Sequence, residues 1–487
     1  MKLFELIEDT SYRLTGYAGP DRFEQEIRRV TADRREAGEG VLFVCADFAL
    51  GDGHNSAHAA YALGSRVFLA ERELPLPDDA TVLVVEDTKR LLGALAARCY
   101  GYPARSLTVF GITGTAGKSA IAHTVTALLR RAGRSVASLT TDGVDLNGEL
   151  RPADCIVPNA ADIQALLREF LETGVEFAVL EFSSYMLANH AQTAIPFAAL
   201  LLSNFAPAHI GEGQHKDFAA YRAAKASLFE GGAPFLVFPA NFADFSVPKR
   251  GEKRLLFGEG GHLQALDAVP VIEKRSFGTR FTLCLENGEK EQIFLPVPGD
   301  NAVKNALAAA ALALIAGLSL KEVATGLCAY APLGRLECVG TYEGRYVFVD
   351  SAYTGQDLER ALDTLCPYTE GRLSVLIGSV GGRTRERRAF LGKAAGTHAD
   401  FVYLTADNPD CEDARGICEE IMRGMQDPSR CCIVPDRRRA IERAVLEMRP
   451  GDTLLLAGKG GEAYQLIRGR KERFCEREIV AAVLGEM

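Results

Sequence analysis

The chain lacks the sequence patterns of disulfide-rich, zinc-binding and membrane proteins. Its twelve cysteines include no C-x-x-C pair, and their spacing from the eight histidines fits no zinc knuckle. No run of about 18 apolar residues occurs, as a membrane span would require. The first residues also lack the long apolar stretch of a signal peptide. We therefore expect a cytoplasmic protein with reduced core cysteines and no membrane partner.

Neither sign of charge dominates the composition. The 487 residues include 55 basic and 64 acidic ones, which gives a net charge of -9. This balance argues against nucleic acid as a partner, so an anionic ligand would have to be held by local residues. An apolar fraction of 47% is enough for full cores, and the length favours several domains. We expect small-molecule substrates and a monomer.

A glycine-rich loop is the most informative segment. Gly111-Ile-Thr-Gly-Thr-Ala-Gly-Lys-Ser119 follows an apolar run and precedes a helix-like segment. Its glycines allow consecutive backbone N–H groups to converge on a phosphate at a helix N-terminus. Lys118 would then reach the outer phosphates, and the Ser119 hydroxyl would bind Mg²⁺. An ordinary glycine-rich turn is the alternative, but Lys-Ser at a helix start between two apolar runs favours a nucleotide site.

The chain divides into three predicted α/β domains. Residues 1–106 alternate short apolar runs with helix-like stretches and form a small domain. Residues 107–331 begin at the loop and predict a parallel sheet with the loop at its carboxyl edge. Residues 332–487 alternate strands and helices and predict a second doubly wound, Rossmann-like domain. Further predictions are strands at 177–180, 197–203, 346–349, 373–377, 401–405 and 453–456, a strand-rich insertion at 278–298 and a buried helix at 302–317.

Polar residues follow several of these strands, at the sheet edge where α/β proteins bind ligands. Glu181 follows one strand of the second domain, where a carboxylate would suit Mg²⁺. Asp350 and Asp407-Asn408 follow strands of the third domain. A solvated strand end, a helix cap or an Asx turn is the alternative for each residue taken alone.

These motifs together resemble the Mur ligases over nearly the whole chain. The shared segments occur in the family's order and spacing and are Gly111 to Ser119, Glu181 to Ser184, Tyr221 to Lys225, Gly334-Arg335, Asp350 to Thr354, Asp407 to Pro409 and Gly458 to Gly460. The most similar branch adds the third peptide residue to UDP-N-acetylmuramoyl-dipeptide in peptidoglycan synthesis. The resemblance implies a three-domain fold and an ATP-dependent amide ligase. A substrate carboxylate attacks the γ-phosphate of ATP, and an amine then captures the acyl phosphate.

The resemblance also implies roles for residues at the ATP site, with ATP and Mg²⁺ as cofactors. Lys118, His209, Lys225 and Arg335 would be catalytic, and Lys225 would be carbamylated. Ser119, Glu181, His209 and the carbamate of Lys225 would bind metal. A polar-loop histidine is the alternative for His209, and a simple helix lysine for Lys225. The ATP-binding residues would be Gly114, Thr115, Ala116, Gly117, Lys118, Ser119, Asn305, Arg335 and Asp350.

The substrate side departs from the family pattern. The residues implied to bind substrate are Asp33, Arg34, Arg35, Ser183, Asp407, Asn408, Asp410, Gly458 and Glu462. However, two threonines of the family fall on Ile156 and Val157, a serine on Arg34 and an arginine on Ala191. Each lost charge-assisted hydrogen bond is typically worth about 1.5 to 3 kcal/mol, so we expect altered recognition of the nucleotide sugar.

The amine side departs as well. Members that add diaminopimelate have an arginine after Asp-Asn-Pro, and this chain has Asp410. A carboxylate would repel the distal carboxylate of diaminopimelate, so lysine or ornithine fits better. The alternative is that Asp410 faces solvent. We expect a cell-wall ligase. A paralogue that extends a different carboxylate and a non-catalytic ATP-binding partner are the two alternatives.

Overall fold

The computed structural model describes residues 1–16, 19–48, 51–151, 157–208, 210–211, 215–242, 252–273, 276–330, 334–382 and 385–486. Two compact units divide the chain. The first comprises Met1–Leu263 and Leu307–Ser319, and the second comprises Gln264–Ala306 and Leu320–Met487. Three separate main sheets lie along the sequence, in agreement with the predicted α/β class. The boundaries at residues 106 and 331 stay a prediction.

The first sheet of unit 1 has five strands in the order β1-β7-β6-β3-β2. Its strands, with the short hairpin β4–β5, are β1 (Arg13–Gly16), β2 (Arg29–Thr31), β3 (Val41–Val44), β4 (Asp47–Phe48), β5 (Gly51–Asp52), β6 (Val67–Ala70) and β7 (Thr81–Val84). Its helices are α1 (Leu3–Leu6), α2 (Pro20–Phe23), α3 (Ala57–Ala62) and α4 (Thr88–Cys99), with 3-10 turns at Arg34–Glu36, Gly53–Ser56 and Pro103–Ser106. In the described part of the five-stranded sheet β1 runs antiparallel to β7 and the other pairs are parallel, whereas β4 and β5 pair antiparallel with each other.

The central sheet of unit 1 has the order β11-β10-β9-β12-β8-β13-β14-β15. The strands are β8 (Thr108–Thr113), β9 (Val136–Thr140), β10 (Gly143–Leu146), β11 (Glu149–Arg151), β12 (Phe177–Glu181), β13 (Phe197–Leu202), β14 (Phe235–Pro239) and β15 (Lys253–Phe257). The helices are α5 (Lys118–Arg131), α6 (Ala160–Glu172), α7 (Ser184–Ala188) and α8 (Phe218–Glu230). Strands β9, β12, β8, β13, β14 and β15 run parallel.

The position of β8 explains where the site forms. Its neighbours β12 and β13 lie on opposite sides, so the chain changes direction across the sheet at this strand. Such a switch point leaves a crevice at the carboxyl ends of the strands. Both strand predictions for this sheet, 177–180 and 197–203, are confirmed within a residue.

Unit 2 contains the predicted insertion and the third sheet. The insertion consists of β16 (Leu263–Glu273), β17 (Ser276–Leu285) and β18 (Lys290–Leu295). The helices α9 (Asp300–Ile315) and α10 (Leu320–Cys328) follow, and the part of α9 from Leu307 onward belongs to unit 1. The third sheet has the order β19-β20-β24-β21-β22-β23. Its strands are β19 (Glu337–Tyr342), β20 (Arg345–Asp350), β21 (Leu373–Ile377), β22 (Phe401–Leu404), β23 (Cys431–Ile433) and β24 (Thr453–Ala457), and a separate hairpin is formed by β25 (Tyr464–Ile467) and β26 (Arg470–Arg473).

The helices of the third sheet complete unit 2. They are α11 (Gly355–Leu365), α12 (Glu386–His398), α13 (Ala414–Met422), α14 (Arg437–Leu446) and α15 (Glu476–Glu486), with 3-10 turns at Cys366–Tyr368 and Pro428–Arg430. The four predicted strands of this domain and the helix predicted at 302–317 are confirmed with shifts of a residue or two. Among the residues described, no helix is both long and apolar enough to cross a bilayer.

Candidate active site

The glycine-rich loop connects β8 to α5 at the carboxyl edge of the central sheet. Gly117 has φ +82° directly before the first helical residue, Lys118. Gly114 has φ +149°, and a Cβ built on it would lie 1.9 Å from Ser203 Oγ. A residue with a side chain would therefore be strained and would collide at position 114. The predicted strand–loop–helix context of the phosphate motif is present.

Glu181, at the end of β12, lies against this loop. Its Oε2 accepts hydrogen bonds from Ser119 Oγ at 2.7 Å and from the Thr141 N–H at 3.2 Å. Lys118 Nζ is 3.8 Å from Oε1, and Glu181 is only 4% exposed. The structure thus brings together a cation, a hydroxyl and a buried carboxylate. These oxygen donors are of the hard type that Mg²⁺ prefers, so the residues fit the predicted metal.

Lys225, on α8, is buried beside the same loop. Its side chain extends to the loop backbone, where Nζ donates to the Gly114 carbonyl at 2.7 Å. The residue is 1% exposed. Burial lowers the pKa of Lys225 to about 7, the charge of Lys118 adds to this effect, and Glu181 opposes it. An amine with this pKa is half neutral near pH 7, as carbamylation would require.

Tyr221 contacts this lysine, and two further aromatic side chains pack against Tyr221. Lys225 Nζ lies 4.9 Å from the centre of the Tyr221 ring, and the Tyr221 hydroxyl is 2.9 Å from Thr115 Oγ1 of the loop. Phe205 stacks on Tyr221, and His215 packs against it edge-on. Burial lowers the pKa of His215, and the charge of Lys225 lowers it further. The predicted metal ligand His209 lies outside the described residues, so that assignment stays a prediction.

The proposed substrate residues of the first domain form a small charged turn. Asp33 precedes the 3-10 turn Arg34–Glu36 and accepts from the Arg35 N–H at 2.8 Å. The Arg35 guanidinium also pairs with Asp33, and this hydrogen bond is the main reason that the pKa of Asp33 is lowered. Arg34 is exposed. The turn holds Asp33 and Arg35 in an ion pair and leaves Arg34 at the surface.

The remaining predicted substrate positions of unit 1 do not share one environment. Ser183 caps α7, where its hydroxyl accepts from the Met186 N–H at 3.1 Å. Ala191 is 1% exposed within the core of the central sheet, so a ligand cannot contact this position. Val157 is 38% exposed, whereas Ile156 lies outside the described residues. A substrate role for Ser183 stays a prediction.

The remaining predicted nucleotide residues, Asn305, Arg335 and Asp350, lie in unit 2. Asp350 ends β20, and its two carboxylate oxygens accept from the Leu336 and Ala352 N–H groups, each at 2.7 Å. Burial raises the pKa of Asp350 to about 6, although these N–H groups and the charge of Arg335 oppose the shift. Asn305 lies on α9 and is partly exposed. Their roles toward ATP stay predictions.

The predicted amine residues of unit 2 come together around Lys459. Its Nζ donates to Asn408 Oδ1 at 3.0 Å and to Glu462 Oε2 at 3.3 Å, and it lies 3.4 Å from Asp407 Oδ1. Asn408 Nδ2 donates to the same Glu462 oxygen at 3.1 Å. Gly458 has φ +107°, and a Cβ there would lie 3.5 Å from Asp407 Oδ2. One buried cation thus organises two carboxylates and an amide.

Asp410 has a structural contact that the sequence did not reveal. Its Oδ1 accepts from the Gly469 N–H at 2.6 Å, in the turn that joins β25 to β26. Its backbone pairs with Leu466 and Arg468 beside the same turn. Asp410 therefore anchors the β25–β26 hairpin, three residues along the chain from Asp407.

Sequence reasoning missed three polar positions. Thr141 and Asn204 follow β9 and β13 and contact Glu181 and the loop. The rule that identified Glu181, a polar residue at the end of a buried strand, would have selected both. Lys459 lies within the recognised Gly458-Lys-Gly460 segment, but in that segment only Gly458 was assigned a role.

Comparisons with known proteins agree with this geometry. The Mur ligase middle domain matches residues 112–313, and the Mur ligase, glutamate ligase domain matches residues 334–460. The UDP-N-acetylmuramoyl-L-alanyl-D-glutamate--2,6-diaminopimelate ligase of Chlorobium phaeobacteroides is 33% identical over 486 residues, which cover 96% of this chain and 94% of the relative.

Two solved structures share the fold. One is a UDP-N-acetylmuramoyl-L-alanyl-D-glutamate--2,6-diaminopimelate ligase with a TM-score of 0.70 and 24% identity, covering 100% of this chain and 99% of that one. The other is the MurF ligase of Thermotoga maritima in complex with ADP, with a TM-score of 0.59 and 19% identity, covering 94% and 97%.

Proposed function

The chain belongs to the Mur ligase family and is an ATP-dependent acid–amino acid ligase, and from this premise we propose that it adds an amino acid to UDP-N-acetylmuramoyl-dipeptide in peptidoglycan precursor synthesis. The observation that carries the proposal is the cluster of Lys118, Ser119, Glu181 and Lys225 around the loop. Each of these residues has the chemistry that phosphoryl transfer requires. The relative's name supports the acyl substrate.

The reaction has two steps. The substrate carboxylate attacks the γ-phosphorus of ATP, which yields an acyl phosphate and ADP. The amine then attacks the acyl carbon and loses a proton, and the tetrahedral intermediate expels inorganic phosphate. Both steps gather anionic oxygens at one point, so preorganised positive charge stabilises them. Lys118 supplies such a charge at the helix N-terminus.

Ser119 and Glu181 are the residues that would hold Mg²⁺ beside the phosphates. When bound, the ion would neutralise charge on the transferred phosphoryl group. The Glu181 carboxylate accepts one hydrogen bond from Ser119 of the loop and one from the Thr141 N–H after β9, and these contacts orient it toward Ser119. Lys225 would serve as a further oxygen donor after its neutral amine takes up CO₂ and releases a proton to form a carbamate.

The amine pocket favours a basic amino acid. Asp407 and Glu462 place two carboxylates beside the ammonium of Lys459, and Asp410, three residues after Asp407, holds a third carboxylate at the turn of the β25–β26 hairpin. This excess attracts a second ammonium group and repels a second carboxylate, so we propose lysine or ornithine as the amine. Diaminopimelate is the second candidate, because the 33% identical relative is named for it.

The acyl side keeps a second candidate as well. Ala191 is buried in the core, so the substrate contact that the family places at this position is missing. A paralogue that extends a different carboxylate would show such a loss. Exposed Arg34 offers a replacement cation for the diphosphate of the nucleotide sugar, and this observation keeps the cell-wall substrate as the leading proposal.

Phosphate release tests the proposed function. ATP, UDP-N-acetylmuramoyl-dipeptide and lysine should all be required for steady release of phosphate, and Lys118→Ala should abolish it. Release that ignores the amine would indicate an ATPase instead. Absence of release with every acyl donor and amine would favour a non-catalytic ATP-binding protein.

A further inference from the structure

Two side chains that follow β13, those of Ser203 and Asn204, form hydrogen bonds with the phosphate loop. The Asn204 carboxamide oxygen accepts from the Ala116 N–H at 2.9 Å and from the Thr115 N–H at 3.2 Å. Its amide group donates to the Ala116 carbonyl at 2.8 Å, and Ser203 Oγ donates to the same carbonyl at 2.7 Å. Four hydrogen bonds therefore fix both backbone polar groups of Ala116 and the N–H of Thr115.

The chain is built for this close approach. Gly114 allows Ser203 to lie against the loop, since a Cβ at position 114 would meet Ser203 Oγ at 1.9 Å. The Ser203 N–H also donates to the Thr113 carbonyl at 2.9 Å, which extends the pairing of β8 with β13 up to the loop. The strand end and the loop thus form one hydrogen-bonded piece of structure.

Only a carboxamide can make the Asn204 contacts. It presents a donor and an acceptor in one rigid plane, whereas a carboxylate only accepts and an alkyl group does neither. By holding these two N–H groups, Asn204 fixes the loop backbone just before the helix N-terminus, where such motifs cradle phosphate. An exposed loop peptide without this support would sample other orientations, and nucleotide binding would then bear the cost of ordering it.

We propose that Asn204, assisted by Ser203, is a positioning residue that holds Thr115 and Ala116 in the phosphate-binding conformation and thereby sets the affinity for the nucleotide. The inference rests on the proposed function, because it takes the loop as the ATP site. Asn204 acts through the loop peptide and needs no contact with the reacting atoms.

Calorimetry with ADP and Mg²⁺ as the probe tests the proposal. Asn204→Ala should weaken ADP binding about tenfold through lost hydrogen bonds. Asn204→Asp should weaken it about 100-fold, because it also places a negative charge beside the phosphates. Asn189→Asp is the control: Asn189 is a buried asparagine of the same unit at the C-terminal end of α7, where its amide donates to the Tyr185 carbonyl. The affinity of the Asn189→Asp variant for ADP should equal that of the wild type.

Kinetics separate positioning from a general structural defect. In Asn204→Ala the KM for ATP should rise about tenfold while the KM for the amine stays within twofold. Unchanged ADP affinity in both Asn204 variants, or a loss of kcat at an unchanged KM for ATP, overturns the proposal. If both Asn204 variants unfold on heating far below the wild type, Ser203→Ala decides. It should weaken ADP binding about threefold, and wild-type affinity there refutes the positioning role. Failure of the wild type itself to bind ADP would refute the proposed function.

Discussion

Replacement of Lys225 by alanine should abolish turnover, and an added short carboxylate should restore part of the activity. The missing group in Lys225→Ala is an anionic oxygen donor, which added formate or acetate can supply in the vacated space. Lys225→Arg fills that space and keeps a positive charge, so it should be inactive and should not respond. Initial rates with and without the added carboxylate measure both effects.

The buried position of Lys225 sets the size of the CO₂ effect. Its pKa of about 7 leaves about half of the amine neutral at pH 7, whereas the ordinary value of 10.5 leaves only about 1 in 3,000. The site therefore offers on the order of 10³ times more neutral amine than a solvated lysine does. Enzyme stripped of CO₂ should lose activity and regain it when CO₂ is supplied.

The pH dependence of that recovery distinguishes Lys225 from an ordinary lysine. At fixed dissolved CO₂, the reactivation rate should rise about tenfold between pH 6 and pH 8 and then level off. For a lysine of ordinary pKa the reactivation rate would rise about 100-fold between pH 6 and pH 8 and would keep rising above pH 8. The reasoning is refuted if activity is independent of CO₂, or if a high-resolution map of active, metal-loaded enzyme shows an unmodified ammonium.

Four further predictions concern other residues. Lys118→Ala should lower kcat by about 10² to 10³ at an unchanged melting temperature, as measured by phosphate release and thermal unfolding; near-normal turnover would contradict its role. Asp410→Asn keeps an acceptor for the Gly469 N–H but removes the charge, so the kcat/KM for diaminopimelate relative to lysine should rise about tenfold; an unchanged ratio would assign Asp410 to the hairpin alone. Burial raises the pKa of Asp162 from 3.8 to about 6, so ionisation of this carboxyl destabilises the folded protein. This destabilisation is absent below about pH 4 and reaches its full size above about pH 6. Asp162→Asn should therefore stabilise the protein by about 1–3 kcal/mol at pH 8 and not at pH 4, as measured by denaturant unfolding. Arg34→Ala should weaken binding of UDP-N-acetylmuramoyl-dipeptide about tenfold in calorimetry, and equal affinity would exclude a compensating role for this arginine.

The central sheet was largely predictable because its signals are local. Long apolar runs marked β12 and β13, and the glycines with Lys118 and Ser119 marked the turn between β8 and α5. Parallel strands share one carboxyl edge, so the position of Glu181 after its strand was enough to place it beside the loop. The contact between Ser119 and Glu181 at 2.7 Å follows from that rule.

Contacts between residues far apart in the sequence were not predictable. Asp410 was assigned to the amine pocket from its position after Asp-Asn-Pro and its charge, but its hydrogen-bond partner lies 59 residues away in a hairpin turn. Lys459 gained its central place only when residues 407–408 folded against the segment that runs from Lys459 to Tyr464. The burial that changes the pKa of Lys225 arises from packing of α8 against the loop, and no spacing in the sequence encodes it.

Mass analysis of the reaction product tests the central claim most directly. The enzyme is incubated with ATP, Mg²⁺, one acyl donor and one amine, with the panel covering UDP-N-acetylmuramoyl-dipeptide and simpler carboxylates against lysine, ornithine and diaminopimelate. The account predicts a product of UDP-N-acetylmuramoyl-dipeptide joined to lysine or ornithine with loss of one water, formed together with ADP and phosphate. Efficient ligation of diaminopimelate would overturn the charge argument for the amine pocket. Product formed only from a different carboxylate would contradict the cell-wall assignment.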